Sequence, residues 1–393
     1  MRRYTAEEEQ RVRMQAHVGD WTRAGLLAPE QGAALEAELR TDLKRTNDLL
    51  RAALALFTTV IVAASVLLVF VSFDIRDHLA NAVTLAVAAA ACIGFVEYLV
   101  GTLRLYRYGV EEALAVASIL LVAASAAEIV RPLASAPVDR WWMAWLATAS
   151  AAGFAVYRRY GLVYALVGAT LAAALIPVQF SLSNAVERLL AAAIFGAAFA
   201  AARLACLRHG DDYPGDDYAT LQAAAVAGAY FTLNVHIADA IPWLGIGAPS
   251  VPGWFYWSSY AATWLIPAAG LMLAIREKDR SLLTVGIALA LCTLVTNKPY
   301  LGWRRDTWDP MILGALLAGG AVALRRWLAS GPDGQRGGFT AARILARDRD
   351  ILSALATASV AWHGRGHEPP PHDAPPSDFA GGRSGGAGGG AGY

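Results

Sequence analysis

Residues 49–73 read LLRAALALFTTVIVAASVLLVFVSF. After Arg51 the stretch holds no charge as far as Phe73. Its length is what an α-helix rising about 1.5 Å per residue needs to cross a hydrocarbon core of about 30 Å. Similar stretches recur as far as Trp327. They fall at 49–73, 79–100, 112–130, 141–157, 161–180, 187–207, 218–240, 254–275, 281–298 and 310–328. The pattern predicts an all-α, polytopic transmembrane bundle of about ten spans, with the lipid bilayer as its first partner. Alternating runs of about ten residues, the mark of a membrane barrel, are absent, and nothing in the sequence supports strands.

Composition agrees. A chain that is 56% hydrophobic and 17% charged is too apolar for an ordinary soluble protein. A net charge of +1 leaves no basic face to neutralise phosphates, which argues against nucleic acid as a partner. Cys92, Cys206 and Cys292 each sit in an apolar stretch without metal-ligand spacing, so they read as small packing residues. No cofactor motif is present, and no glycine-rich phosphate loop with a following Lys. The first fifty residues are hydrophilic and the first apolar stretch is too long for a signal-peptide core. The first span is therefore expected to act as the insertion signal and to be retained.

Four regions follow. Residues 1–48 form a cytoplasmic helical segment, 49–328 the bundle, 329–362 a segment with an amphipathic helix, and 363–393 a disordered Pro/Gly-rich tail. In the first, Thr5 and Glu8 have capping-box spacing. Gly25 ends one helix and Pro29 opens the next, on which Leu35, Leu39 and Leu43 form an apolar stripe. From Thr340 to Trp362 an apolar face of Ile344, Ile351, Leu355, Ala358 and Trp362 would lie in the headgroup region or dock on the bundle. The tail cannot bury enough apolar surface to offset its ordering entropy.

Lys and Arg placement orients the bundle. Both tails are basic, and an even number of spans puts them on one side, together with Arg104, Arg107, Arg158 and Arg159. Both termini are therefore expected in the cytoplasm. Tyr, Arg and Gly recur together at residues 105–109, 156–161 and 207–210. This reads either as a faint hairpin repeat or as the ordinary chemistry of helix ends and tight turns.

Three places carry candidate site residues. Glu97, ionisable within a span, is either a proton or cation site or a rim carboxylate reaching Arg104 or water. Asn234, His236 and Asp239 follow, with His236 and Asp239 three apart on one helical face. They form a proton relay, half of a metal site, or a polar helix end. No partner ligands at metal spacing appear elsewhere, so no metal site is assigned. Lys298, Trp303, Arg304, Arg305, Asp306 and Trp308 combine aromatic rings with charge at the outer surface. That set suits a sugar or lipid headgroup, or an aromatic belt anchoring helix ends. Glu128 and Arg131 read as a boundary ion pair.

The run from Trp21 to Gln31, with Gly25, Leu26, Leu27 and Glu30 between, resembles a domain-of-unknown-function family of predicted bacterial polytopic membrane proteins. These begin with a short W-x3-G-[LI]-[IL]-x2-E-Q helical pair. The resemblance implies a bacterial inner membrane and no known activity. Three function classes stay open: binding or transport of a small molecule or lipid in the bundle, a scaffold or signalling protein recruiting cytoplasmic partners, and an enzyme acting on envelope lipid or sugar at residues 298–309. Binding leads and an enzyme trails. Substrate and oligomeric state are not legible.

Overall fold

The computed structural model describes residues 3–23, 25–133, 140–180, 182–208, 214–237, 251–303, 308–331, 335–336 and 339–340. Two short helices come first, α1 (Ala6–Arg23) and α2 (Pro29–Glu38). Ten more follow among the described residues: α3 (Asp48–Ser72), α4 (His78–Gly101), α5 (Val110–Val130), α6 (Arg140–Tyr160), α7 (Val163–Leu175), α8 (Asn184–Arg208), α9 (Pro214–Leu233), α10 (Gly253–Glu277), α11 (Arg280–Tyr300) and α12 (Asp309–Ala329). A two-residue antiparallel ladder, β1 (Gln335–Arg336) with β2 (Phe339–Thr340), closes the described chain. Thr340 thus lies in a strand. The rest of the expected amphipathic helix, and the tail, lie outside the described residues.

Among the described residues, seven helices are long and apolar enough to cross a membrane: α3, α4, α5, α7 with its 3-10 extension to Phe180, α8, α10 and α11. Helices α6, α9 and α12 stand where further spans were expected but fall outside that set. Large apolar side chains such as Leu56, Phe57, Leu67, Leu79 and Met272 are exposed, as a lipid-facing surface requires.

Side-chain caps fix several helix starts. Asn47 accepts from Leu50 N–H, Asp77 from Leu79 and Ala80 N–H, and Asp279 from Ser281 and Leu282 N–H. At α1 the capping box forms as expected: Thr5 N–H donates to Glu8 Oε2 at 3.0 Å and Glu8 N–H to Thr5 Oγ1 at 3.2 Å. The leucine stripe of α2 does not form, because the helix stops at Glu38. Leu35 is exposed, while Leu43 is buried in the extended connector beyond the helix.

Helix α5 is the centre of the first half, packed against α3, α4 and α6, and α9 is the centre of the second, packed against α7, α8, α10 and α11. Both bury small residues: Ala115 and Ala123 on α5, Ala223 and Ala225 on α9. Small residues let helices approach where lipid supplies no hydrophobic drive between them. A Cβ at Gly228 would stand 2.3 Å from the Phe195 ring of α8, so only glycine fits that crossing. By contrast α3 buries no residue at all.

The N-terminal segment lies across the end of the bundle where α4 and α6 finish and α5 and α7 begin. Lys44 and Leu105 form a parallel bridge, Arg3 N–H donates to Arg159 O at 2.9 Å, and the Tyr4 hydroxyl donates to Leu105 O. Burial, then the nearby Glu111 carboxylate, pushes the Tyr4 hydroxyl well above its ordinary pKa.

Candidate functional site

Glu97 sits in the last turn of α4, at the rim that the N-terminal segment covers. Arg3 Nε donates to its Oε2 at 2.7 Å, Arg159 Nε to its Oε1 at 2.8 Å, and the Tyr160 hydroxyl to Oε1 at 2.8 Å. One carboxylate therefore holds both the chain start and the foot of α6. Arg104, expected as its partner, instead pairs with Glu8 on α1. Burial raises the Glu8 pKa, but the Thr5 N–H, the Arg104 guanidinium and the Thr5 hydroxyl outweigh it. The group ends below the ordinary carboxylate range.

The same end carries a second anchor. Arg51 Nε donates to Glu112 Oε2 at 2.6 Å, and its Nη2 reaches Oε1 at 2.5 Å. Gly109, at φ +102°, lets α5 begin directly against α3; a Cβ there would meet Arg51 O at 2.2 Å. At the opposite end of α5, Glu128 takes Arg131 at 3.0 Å, as expected, and also His78 at 2.6 Å.

The other candidate cluster lies in the second half, where α9 and α11 end and α10 begins. Helix α9 stops at Leu233, so His236 stands in a turn rather than on the helical face expected to carry it. The reason is local. The Val235 N–H donates to the Tyr300 hydroxyl at 2.8 Å and the His236 N–H to Asn234 Oδ1 at 3.1 Å, so side chains take the donors a helix would have used. Arg188 of α8 donates to Thr232 O at 2.7 Å and so caps the end of α9. Asp239 lies outside the described residues.

Around this turn the polar groups form a column. Asn234, fully buried, donates to the Tyr230 hydroxyl at 3.0 Å and Thr296 Oγ1 at 3.1 Å. Tyr230 meets Thr293 at 3.0 Å, and Thr293 donates to Thr263 O at 2.6 Å. Tyr300 contacts Ser259 Oγ at 3.1 Å. At the mouth His236 Nε2 lies 3.0 Å from the Tyr256 hydroxyl, and Tyr260 donates to Asn297 Oδ1 at 2.9 Å. These four mouth side chains are half-buried, and the rings of Trp254 and Trp257 beside them are exposed. The arrangement presents hydrogen-bond donors and acceptors beside flat aromatic faces.

Of the outer-surface candidates, Lys298 is half-buried in α11, and Trp303 and Trp308 are exposed. Arg304, Arg305 and Asp306 lie outside the described residues. Among the described residues, no group of three or more His, Cys, Asp or Glu is placed to hold a metal. Sequence reasoning missed Tyr230, Thr293, Thr296 and Tyr300. Their signal was present, a hydroxyl every third or fourth position along α11 and continuing Tyr230–Asn234 on α9.

No family model, curated protein or solved structure matches this chain. The fold and the clusters above define it as a helical integral membrane protein with a buried polar column in its second half.

Proposed function

We propose that this protein binds or moves a small polar molecule or a lipid headgroup at the mouth of the polar column, within a bundle of about ten spans. The basic tails support placing both termini in the cytoplasm of a bacterium, with the bundle in its inner membrane. The observation that carries the reading is the column itself. Polar side chains at bilayer depth are costly, and packing alone calls for few of them. Here they lead from a buried floor at Thr263 and Thr293, through Tyr230 and Asn234, to a half-open mouth at His236 and Tyr256.

The test is a melting-temperature screen of the full chain in nanodiscs against sugars, polyols, amino acids and headgroup analogues. A ligand that raises the melting temperature of the wild type and not of His236→Ala or Tyr256→Phe supports the reading. Equal shifts in wild type and both variants reject this site.

A second reading, recruitment of a cytoplasmic partner, draws on the exposed Met14, Trp21, Leu26 and Leu35 of the N-terminal pair. A Trp21→Glu/Leu26→Glu variant that folds and loses a co-purifying partner supports it; a variant that behaves as wild type removes it.

A further inference from the structure

A groove of about 500 Å³ runs between α8, α9 and α10. Its volume is within the range of small-molecule sites. Gly196, Ala225, Ala229 and Gly270 line it, so its depth comes from missing side chains on three helices. The lining is apolar until its end, where Arg276 closes it.

Length and charge together identify the occupant. Along α10 the lining runs from Ile266 to Arg276, ten positions, or about 15 Å at the helical rise. That is about half of a hydrocarbon core of about 30 Å, the depth of one leaflet. Arg276 is exposed, and among the described residues it pairs with no carboxylate. The same holds of Lys278, one turn-residue beyond the helix, whereas the neighbouring Glu277 is taken by Arg203. An apolar channel one leaflet deep, with the exposed Arg276 at its headgroup end, fits one chemistry. We propose that this groove holds an acyl chain of an anionic phospholipid whose phosphate rests on Arg276. The inference does not depend on the polar column, and none of its variants replaces a column residue.

The experiment reconstitutes the full chain in bilayers of equimolar phosphatidylglycerol and phosphatidylcholine. Native mass spectrometry then reads the lipids released with the protein. The wild type is expected to retain phosphatidylglycerol over phosphatidylcholine. Arg276→Gln should lower that preference about fivefold, the contribution of one cation near an anionic headgroup. Gly196→Phe should remove bound lipid of both kinds, because a side chain at Gly196 enters open space and fills the groove. Ala269→Phe fills it from an exposed position on α10 and gives the same readout should the first variant fail to fold. No preference in the wild type, an unchanged preference in Arg276→Gln, or undiminished lipid in the filled variants that fold overturns the assignment.

Discussion

Arg3 and Glu97, 94 positions apart, meet at 2.7 Å, and Arg159 and Tyr160 close on the same carboxylate. That contact ties the start of the chain to the rim of the bundle. The groups are part-exposed, so the effect is moderate: Glu97→Gln is expected to destabilise by about 1–2 kcal/mol. Limited proteolysis within residues 3–23 should accelerate at the same time. Unchanged melting and unchanged cleavage would mean that the cluster is screened by solvent and anchors nothing.

Acid should loosen the same region. The folded-state pKa of Glu8 lies below its unfolded value, so its contribution is fully present above the ordinary carboxylate range. It is lost as pH falls through the depressed folded value, below the ordinary carboxylate range. Hydrogen exchange of α1 should therefore rise on acidification, more steeply than exchange of α5. In Glu8→Gln the neutral-pH exchange should already be raised and this group's part of the acid response gone. A wild type and variant with identical acid profiles would exclude Glu8 as the cause.

Asn234 joins the buried part of the polar column to its mouth, with two donors used and its Oδ1 accepting the His236 N–H. Asn234→Leu removes three hydrogen bonds and leaves buried hydroxyls to re-pair. Interhelical hydrogen bonds in membrane proteins are individually modest, so the expected loss is about 2 kcal/mol. The chemical environment of His236 should change with it, visible in its NMR ring signals. A melting temperature within error of wild type would show that the column re-pairs without this residue.

The helices were legible because apolar length is a strong signal that needs no knowledge of neighbours. Ends were less so. The seventh expected span ran to 240, while α9 stops at Leu233, because Tyr300 takes the Val235 N–H from 65 positions away. Glu97 was visible as an ionisable group in a span, but Arg3 and Arg159 come from other elements, and no local spacing announces them. The column was harder to see. Threonine and tyrosine barely lower the apolarity of a span, so the periodic hydroxyls of α11 pass as ordinary membrane helix.

Gly109 is where α5 begins against α3. Its φ of +102° and the 2.2 Å between a built Cβ and Arg51 O act together against any side chain. Gly109→Ala is expected to cost more than about 2 kcal/mol, through strain plus displacement of the α3 foot. Thermal unfolding of the purified variant measures it. A loss of a few tenths would mean that α3 moves aside freely.

The foot of α3 also tests whether one ion pair can hold a helix that buries nothing. Glu112 is nearly buried, its side chain 9% exposed against 28% for Arg51. Removing the cation alone strands a carboxylate among apolar residues, so Arg51→Met is expected to cost about 3 kcal/mol. Removing both, in Arg51→Met/Glu112→Leu, should recover most of that, because the pair has largely spent its attraction on its own desolvation. The double-mutant cycle separates two roles. A double variant near wild-type stability, with α3 still protected from exchange, says that apolar packing suffices. A double variant as unstable as the single overturns that expectation and says that the pair itself positions α3 against α5.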